Sequence, residues 1–149
     1  MENGASGRVR STLETGSVIL TGADGDVTLA WSRGEKGDPR FLPAGTYRLR
    51  TARIERMEGE HHWFLSAIPP ERREVVVEKG KVTFLQVAER VLFRGHGRWK
   101  GNRLNLGFTI SAPGGGGMSV YADDRRVPVT YRVLGKGGAE LASGTMNYG

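Results

Sequence analysis

In the C-terminal half of this chain apolar residues return at every second position. Leu104, Leu106, Phe108 and Ile110 alternate with Arg103, Asn105 and Thr109. Val127, Val129, Tyr131 and Val133 repeat the pattern after Asp123-Asp124-Arg125-Arg126. A period of two sets one side of a strand against a core and the other in water, whereas a helix needs apolar residues three and four apart. No window carries a 3.6-residue apolar stripe longer than two turns. The chain is therefore expected to be all-β. Turn signals about every 8–12 residues favour a sandwich or barrel over any fold with crossover helices, and an antiparallel β-sandwich is the expectation.

The N-terminal half reads in the same way. Ser17 to Leu20 forms a short strand, Thr21-Gly22-Ala23-Asp24-Gly25-Asp26 turns, and Val27, Leu29 and Trp31 alternate again. Ser32 to Arg40 is a polar loop. Leu42-Pro43-Ala44-Gly45-Thr46 is expected to turn tightly with Gly45 at positive φ, sending Tyr47, Leu49 and Thr51 inward. Met57 to His62 reads as a charged loop, and Trp63 to Ile68 as a strand stopped by Pro69-Pro70. Arg73 to Val87 predicts a hairpin with Gly80 at its tip. Its strands are apolar on both faces, which predicts a central position with the strands from Leu104 to Tyr148 packed on it. Ala112-Pro113-Gly114-Gly115-Gly116-Gly117 breaks the second half, and Ala139 to Tyr148 closes it.

The expected organisation is a partly ordered lead-in over 1–15, a first β unit over 16–88, a basic linking strand or loop over 89–102 and a second β unit over 103–149. A second unit of that size is too small to stand comfortably alone, so the two are expected to share or abut cores.

Pro43-Ala44-Gly45-Thr46-Tyr47, followed by the glycine-tipped stretch from Val75 to Val87, resembles the bacterial PEGA-type and carboxypeptidase-regulatory-like modules. The resemblance spans about Gly16 to Val87 and departs from those modules in the long excursion from Glu55 to Arg72. It implies an immunoglobulin- or prealbumin-like sandwich acting as a non-catalytic accessory domain of the cell surface or periplasm, and it carries over no site residues.

The sequence has no cysteine, which excludes disulfides, thiolate metal sites and cysteine nucleophiles. No apolar run approaches the roughly 20 residues of a membrane-spanning helix. The N-terminus has no apolar core and is no intact signal peptide, so the chain is expected outside the cytoplasm as a mature domain, or in the cytoplasm if Met1 is the native start. The net charge is +6, with 17 arginines among 22 basic residues. Such a balance suits nucleic acid, anionic glycans or acidic membrane heads, although most of the arginines are dispersed among Glu and Asp as on a solvated surface.

Candidate chemistry is sparse. His61 and His62 are adjacent and would point to opposite faces of a strand, so with His96 they make no metal set. Asp24-Gly25-Asp26 lacks the later ligands of a calcium loop and reads as a turn. No serine sits in a Gly-x-Ser-x-Gly elbow, and the glycine run at 114–117 lacks the Lys-Ser/Thr of a phosphate loop. No enzyme activity and no cofactor are expected. One patch has functional shape: Arg94, His96, Arg98, Trp99, Lys100 and Arg103, within the stretch from Arg90 to Arg103. Cations interleaved with aromatics can hold phosphates while stacking bases, and Trp99 between Gly97 and Gly101 could stand exposed at a hairpin tip. The structural account of the same residues makes Phe93 and Trp99 core residues of a linking strand. The expected partners are therefore a protein or carbohydrate at the cell surface, or nucleic acid through this patch. Oligomerisation through an edge such as the last strand, which carries only Glu140 as a charge, is a third expectation.

Overall fold

The computed structural model describes residues 5–69, 73–87, 90–112 and 116–147. The first eight strands are β1 (Ser6–Ser11), β2 (Gly16–Gly22), β3 (Gly25–Trp31), β4 (Arg40–Pro43), β5 (Gly45–Glu58), β6 (His61–Ala67), β7 (Glu74–Val77) and β8 (Val82–Leu85). They are followed by β9 (Leu92–Lys100), β10 (Arg103–Ser111), β11 (Met118–Ala122), β12 (Arg125–Arg126), β13 (Val129–Leu134) and β14 (Glu140–Met146). No helix occurs among the described residues. The fold is all-β and sandwich-like, as the period of two requires. Pro70, residues 113–115 of the glycine break and Tyr148 lie outside the described residues.

A seven-stranded sheet runs β12-β11-β6-β5-β2-β3, with β7 also on β5, and a three-stranded sheet runs β4-β1-β8. The 14-residue β5 is the hub of the large sheet. One of its edges takes β2, and the other takes β7 near its start and β6 near its end. Val9, Leu13, Leu42 and Leu85 of the small-sheet side join Val18, Leu20, Leu29, Trp31, Leu49 and Ile54 of the large sheet in one apolar cluster. Ile110 and Met118 belong to the same cluster, so the C-terminal half shares this core.

Several sequence expectations are corrected. Residues 6–11 are no lead-in: β1 is the middle strand of the small sheet, and Val9 and Leu13 are fully buried. Alternation was hidden because the inward positions on either side of Val9 hold Gly7 and Ser11. A Cβ on Gly7 would lie 2.4 Å from the carbonyl oxygen of Glu78, so this position has no room for a marker of burial. Buried Ser11 is satisfied by accepting the Leu13 N–H at 3.2 Å.

Gly45 does not adopt positive φ. It pairs with Val77 inside the sheet. The change of direction between β4 and β5 is a corner between the two sheets, closed by the Tyr47 hydroxyl donating to the Pro43 carbonyl at 2.9 Å. Tyr47 and Leu49 face inward as expected, but Thr51 does not. Ile19 pairs with Thr51 and Leu20 with Leu49, so Arg50 is an extra, bulged residue that moves the inward set to Ala52 and Ile54. The stretch at 57–62 is no charged loop either, because β5 continues to Glu58 and β6 begins at His61.

The stretch from Arg73 to Val87 is not a hydrogen-bonded hairpin. β7 pairs antiparallel with β5 in the large sheet, whereas β8 pairs parallel with β1 in the small one. The turn at Gly80 carries the chain across the sandwich. Both strands are covered on one side only: Val75 and Val77 are buried, while Val76 is exposed and Phe84 is 70% exposed. Apolar residues on both faces therefore did not mean a central strand here.

Candidate anion-binding hairpin

β9 and β10 pair antiparallel over nine residues each and form a two-stranded sheet of their own, as do β13 and β14. The turn at Gly101-Asn102, with Gly101 at φ +63°, connects β9 to β10. The hairpin is fixed at its base. Ile110 is 8% exposed in the common core and Phe108 packs against that core. The rings of Phe93 and Phe108 stack with centroids 5.8 Å apart. Beyond this base every residue of β9 is exposed.

The register sorts the side chains. Lys100 opposes Arg103, Arg98 opposes Asn105, His96 opposes Gly107 and Arg94 opposes Thr109. Directly opposed residues share a face, so Arg94, His96, Arg98, Lys100 and Arg103 stand on one side of the ribbon. The His96 ring lies over Gly107, where a Cβ would come within 2.4 Å of Nε2. Phe93, Trp99, Leu104, Leu106, Phe108 and Ile110 stand on the other side, with Gly95 and Gly97 completing it. The leucine side chains fold over Gly97, whose Cβ would meet Leu106 at 3.3 Å and Leu104 at 3.4 Å. Phe93 is 54% and Trp99 67% exposed, so neither is a core residue of a linking strand.

Five of the six site residues expected from the sequence are thus gathered on one face, and Trp99 is separated from them. Interleaving in sequence becomes segregation in space, because successive strand residues point to opposite sides. A ribbon of this kind cannot stack bases on Trp99 with the same face that holds phosphates on Arg94 and Arg98. Among the described residues Arg94, Arg98, Lys100 and Arg103 form no ion pair. The sequence carries a further signal of this. Between Glu89 and Asp123 there is no acidic residue, and Arg90, Arg94, Arg98, Lys100 and Arg103 supply five positive charges against a chain total of +6. Uncompensated like charges along one face raise the local potential and attract anions.

The charged regions around residues 32–40 and Asp26 are balanced by contrast. Residues 32–40 fold back on the core: Trp31 Nε1 donates to the Asp38 carbonyl at 2.9 Å, and Arg40 pairs with Glu35 at 2.8 Å. The Ser32 backbone N–H, and then Arg40, hold the Glu35 carboxyl below the usual carboxylate range. A groove of about 740 Å³ brings Arg33 and Lys36 of that loop near Glu14, Glu55 and His62. Two contacts cross it: Lys36 pairs with Glu14 at 3.1 Å, and His62 Nε2 lies 3.4 Å from Glu55 Oε2. Asp26 is held low by the Thr21 hydroxyl and then by Arg50. His61 does not join His62 in a metal set: its Nδ1 lies 2.7 Å from Asp123 Oδ2, and the His62 backbone N–H donates to the same carboxylate at 2.9 Å. These two contacts lower the Asp123 carboxyl. No group of three or more potential metal ligands occurs among the described residues.

No protein-family model, curated protein or solved structure matches the chain.

Proposed function

We propose that this chain is a non-catalytic binding module in which a β-sandwich holds out the β9–β10 hairpin, and that the cationic face of the hairpin engages an anionic partner. The observation that carries this reading is the placement of Arg94, Arg98, Lys100 and Arg103 on one exposed face with no carboxylate paired to them among the described residues. Side chains two apart on a strand stand about 6.8 Å apart, so the row offers successive contacts to a chain or lattice of anionic groups. A place at a bacterial cell surface or envelope belongs to the same proposal and rests on the resemblance of residues 16–87 to accessory modules.

The test is binding to dextran sulfate at several salt concentrations. Substituting Gln for Arg94, Arg98, Lys100 and Arg103 together should abolish binding. Substituting Gln for the exposed Arg48, Arg125, Arg132 and Lys136 removes the same charge elsewhere and should leave most of it. Equal losses in the two variants would show that net charge alone is responsible and would sink the proposal.

A self-assembling role has its own support. Among the described strands β14 pairs only with β13, and Leu141 on it is 69% exposed. An open edge of this kind recruits a further strand. Light scattering that stays monomeric across a concentration series would eliminate this second reading.

A further inference from the structure

We infer that the anionic partner of the hairpin is a phospholipid bilayer, on which the ribbon lies flat with its apolar face down. This rests on the proposal that the cationic face is the binding surface, and it adds the chemistry of the opposite face. Phe93, Trp99, Leu104 and Leu106 would enter the acyl boundary. Arg94, Arg98, Lys100 and Arg103 would remain among the headgroup phosphates.

Three observations favour a bilayer over other occupants. The first is segregation. An interfacial element needs one apolar and one cationic face, whereas a single-strand nucleic-acid platform needs aromatics and cations on the same face. The register supplies the former arrangement, with Trp99 opposite Leu104 on one side and Lys100 opposite Arg103 on the other.

The second is area. Nine residues of strand extend about 30 Å, and a two-stranded ribbon is about 10 Å wide, so the apolar face offers about 300 Å². A stable protein interface takes about 800 Å² from each partner. Part of even this face is already used, because Ile110 is buried in the core. A second copy stacked on this face would therefore gain too little, whereas a bilayer has no such threshold and adds the attraction of the four cations to anionic lipid.

The third is the tip. Trp99 adjoins Lys100 beside the polar turn at Gly101-Asn102, and tryptophan prefers the level of the headgroups. The ribbon backbone is thin enough for both faces to sit within the interfacial layer. Long arginine and lysine stems reach the phosphates from there. The base, held by Ile110, keeps the sandwich in water.

The experiment is co-sedimentation of the full chain with vesicles of phosphatidylglycerol and phosphatidylcholine, and with phosphatidylcholine alone. Binding should require the anionic lipid and fall with added salt. Each of the four cations replaced by Gln should weaken it about fivefold, the equivalent of about one cation's attraction to an anionic surface. Trp99→Ser with Leu106→Ser should weaken it at least tenfold with little change in salt dependence. Trp99 emission should shift to shorter wavelength on binding, a shift that Trp99→Phe removes although Trp31 and Trp63 remain. These residues are exposed, so unchanged thermal melting will show that the variants are folded.

If only the Gln variants lose binding, the chain adsorbs electrostatically and insertion of the apolar face is refuted, while the anionic-partner proposal stands. Salt-sensitive binding to oligothymidine without binding to vesicles would assign the cationic face to nucleic acid and overturn the bilayer. A dimer that forms without lipid and is abolished by the Trp99 and Leu106 substitutions would overturn it too. Failure to bind vesicles, oligothymidine and dextran sulfate alike would defeat both proposals.

Discussion

Gly16 is where the large sheet is least able to accept a side chain. It pairs with Trp31 on β3 and with Ile54 on β5, so it lies between two strands. Its φ of +149° is a conformation that L-residues rarely adopt, and a Cβ there would sit 2.1 Å from the Arg53 carbonyl oxygen. Both obstacles are backbone, which no rotamer change relieves. The dihedral costs about 1–3 kcal/mol. Displacing β5 to make room costs about another 1–3 kcal/mol. Gly16→Ala should therefore lose about 4 kcal/mol of a stability on the order of 5–15 kcal/mol. At this chain length that lowers the melting temperature by about 10 °C. Gly34 has φ +91° but open space around its Cβ, so Gly34→Ala pays only the dihedral cost. Urea titrations of the two variants measure the difference directly, provided the m-value is unchanged. It should be about 1–3 kcal/mol. Equal losses in the two variants would refute the argument from close backbone approach.

Other positions give further tests. Tyr47→Phe removes the hydroxyl that donates to the Pro43 carbonyl and leaves the ring in place against Gly22, so it should cost about 1 kcal/mol in urea unfolding. Asp123 and Asp124 form the β11–β12 turn at φ +48° and +62°. Asp124→Gly should raise the free energy of unfolding by about 0.5 kcal/mol, because glycine adopts this conformation freely. Asp123→Gly should lower the midpoint despite the same relief, since its carboxylate bonds both His61 and His62. Asp26, Glu35 and Asp123 all have lowered carboxyl pKa values in the fold. Each contributes stability that is complete above the unfolded carboxylate pKa, about 4, and is lost as the pH falls through the lower folded value. Urea midpoints should therefore drop below about pH 4. Asp123→Asn should make that drop shallower, and an identical acid profile would contradict the assignment.

Much of the fold was legible because alternation is local. Val27, Leu29 and Trp31 marked β3, and Leu104 to Ile110 marked β10, since each strand displays its own period whatever it pairs with. β1 escaped because its inward positions beside Val9 hold Gly7, where the Glu78 backbone leaves no room for a side chain, and Ser11, a buried polar residue. Strict alternation from Tyr47 turns Thr51 inward, but a bulge at Arg50 shifts the period and leaves no local trace in the sequence. The hairpin face was partly readable as well. Phe93 and Trp99 are at odd positions and Arg94, His96, Arg98 and Lys100 at even ones, so the parity of a strand already separates them.

The sequence by itself determined an all-β chain without cysteine, the positions of most strands and the concentration of charge between Glu89 and Asp123. Tertiary structure decided that β7 and β8 enter different sheets, that β1 is central and that Phe93 and Trp99 stay exposed. The physical reason is one of range. Side-chain direction follows from the backbone of each strand, but pairing and cover depend on which distant surfaces exclude water from it, and nothing in a strand's own residues encodes that.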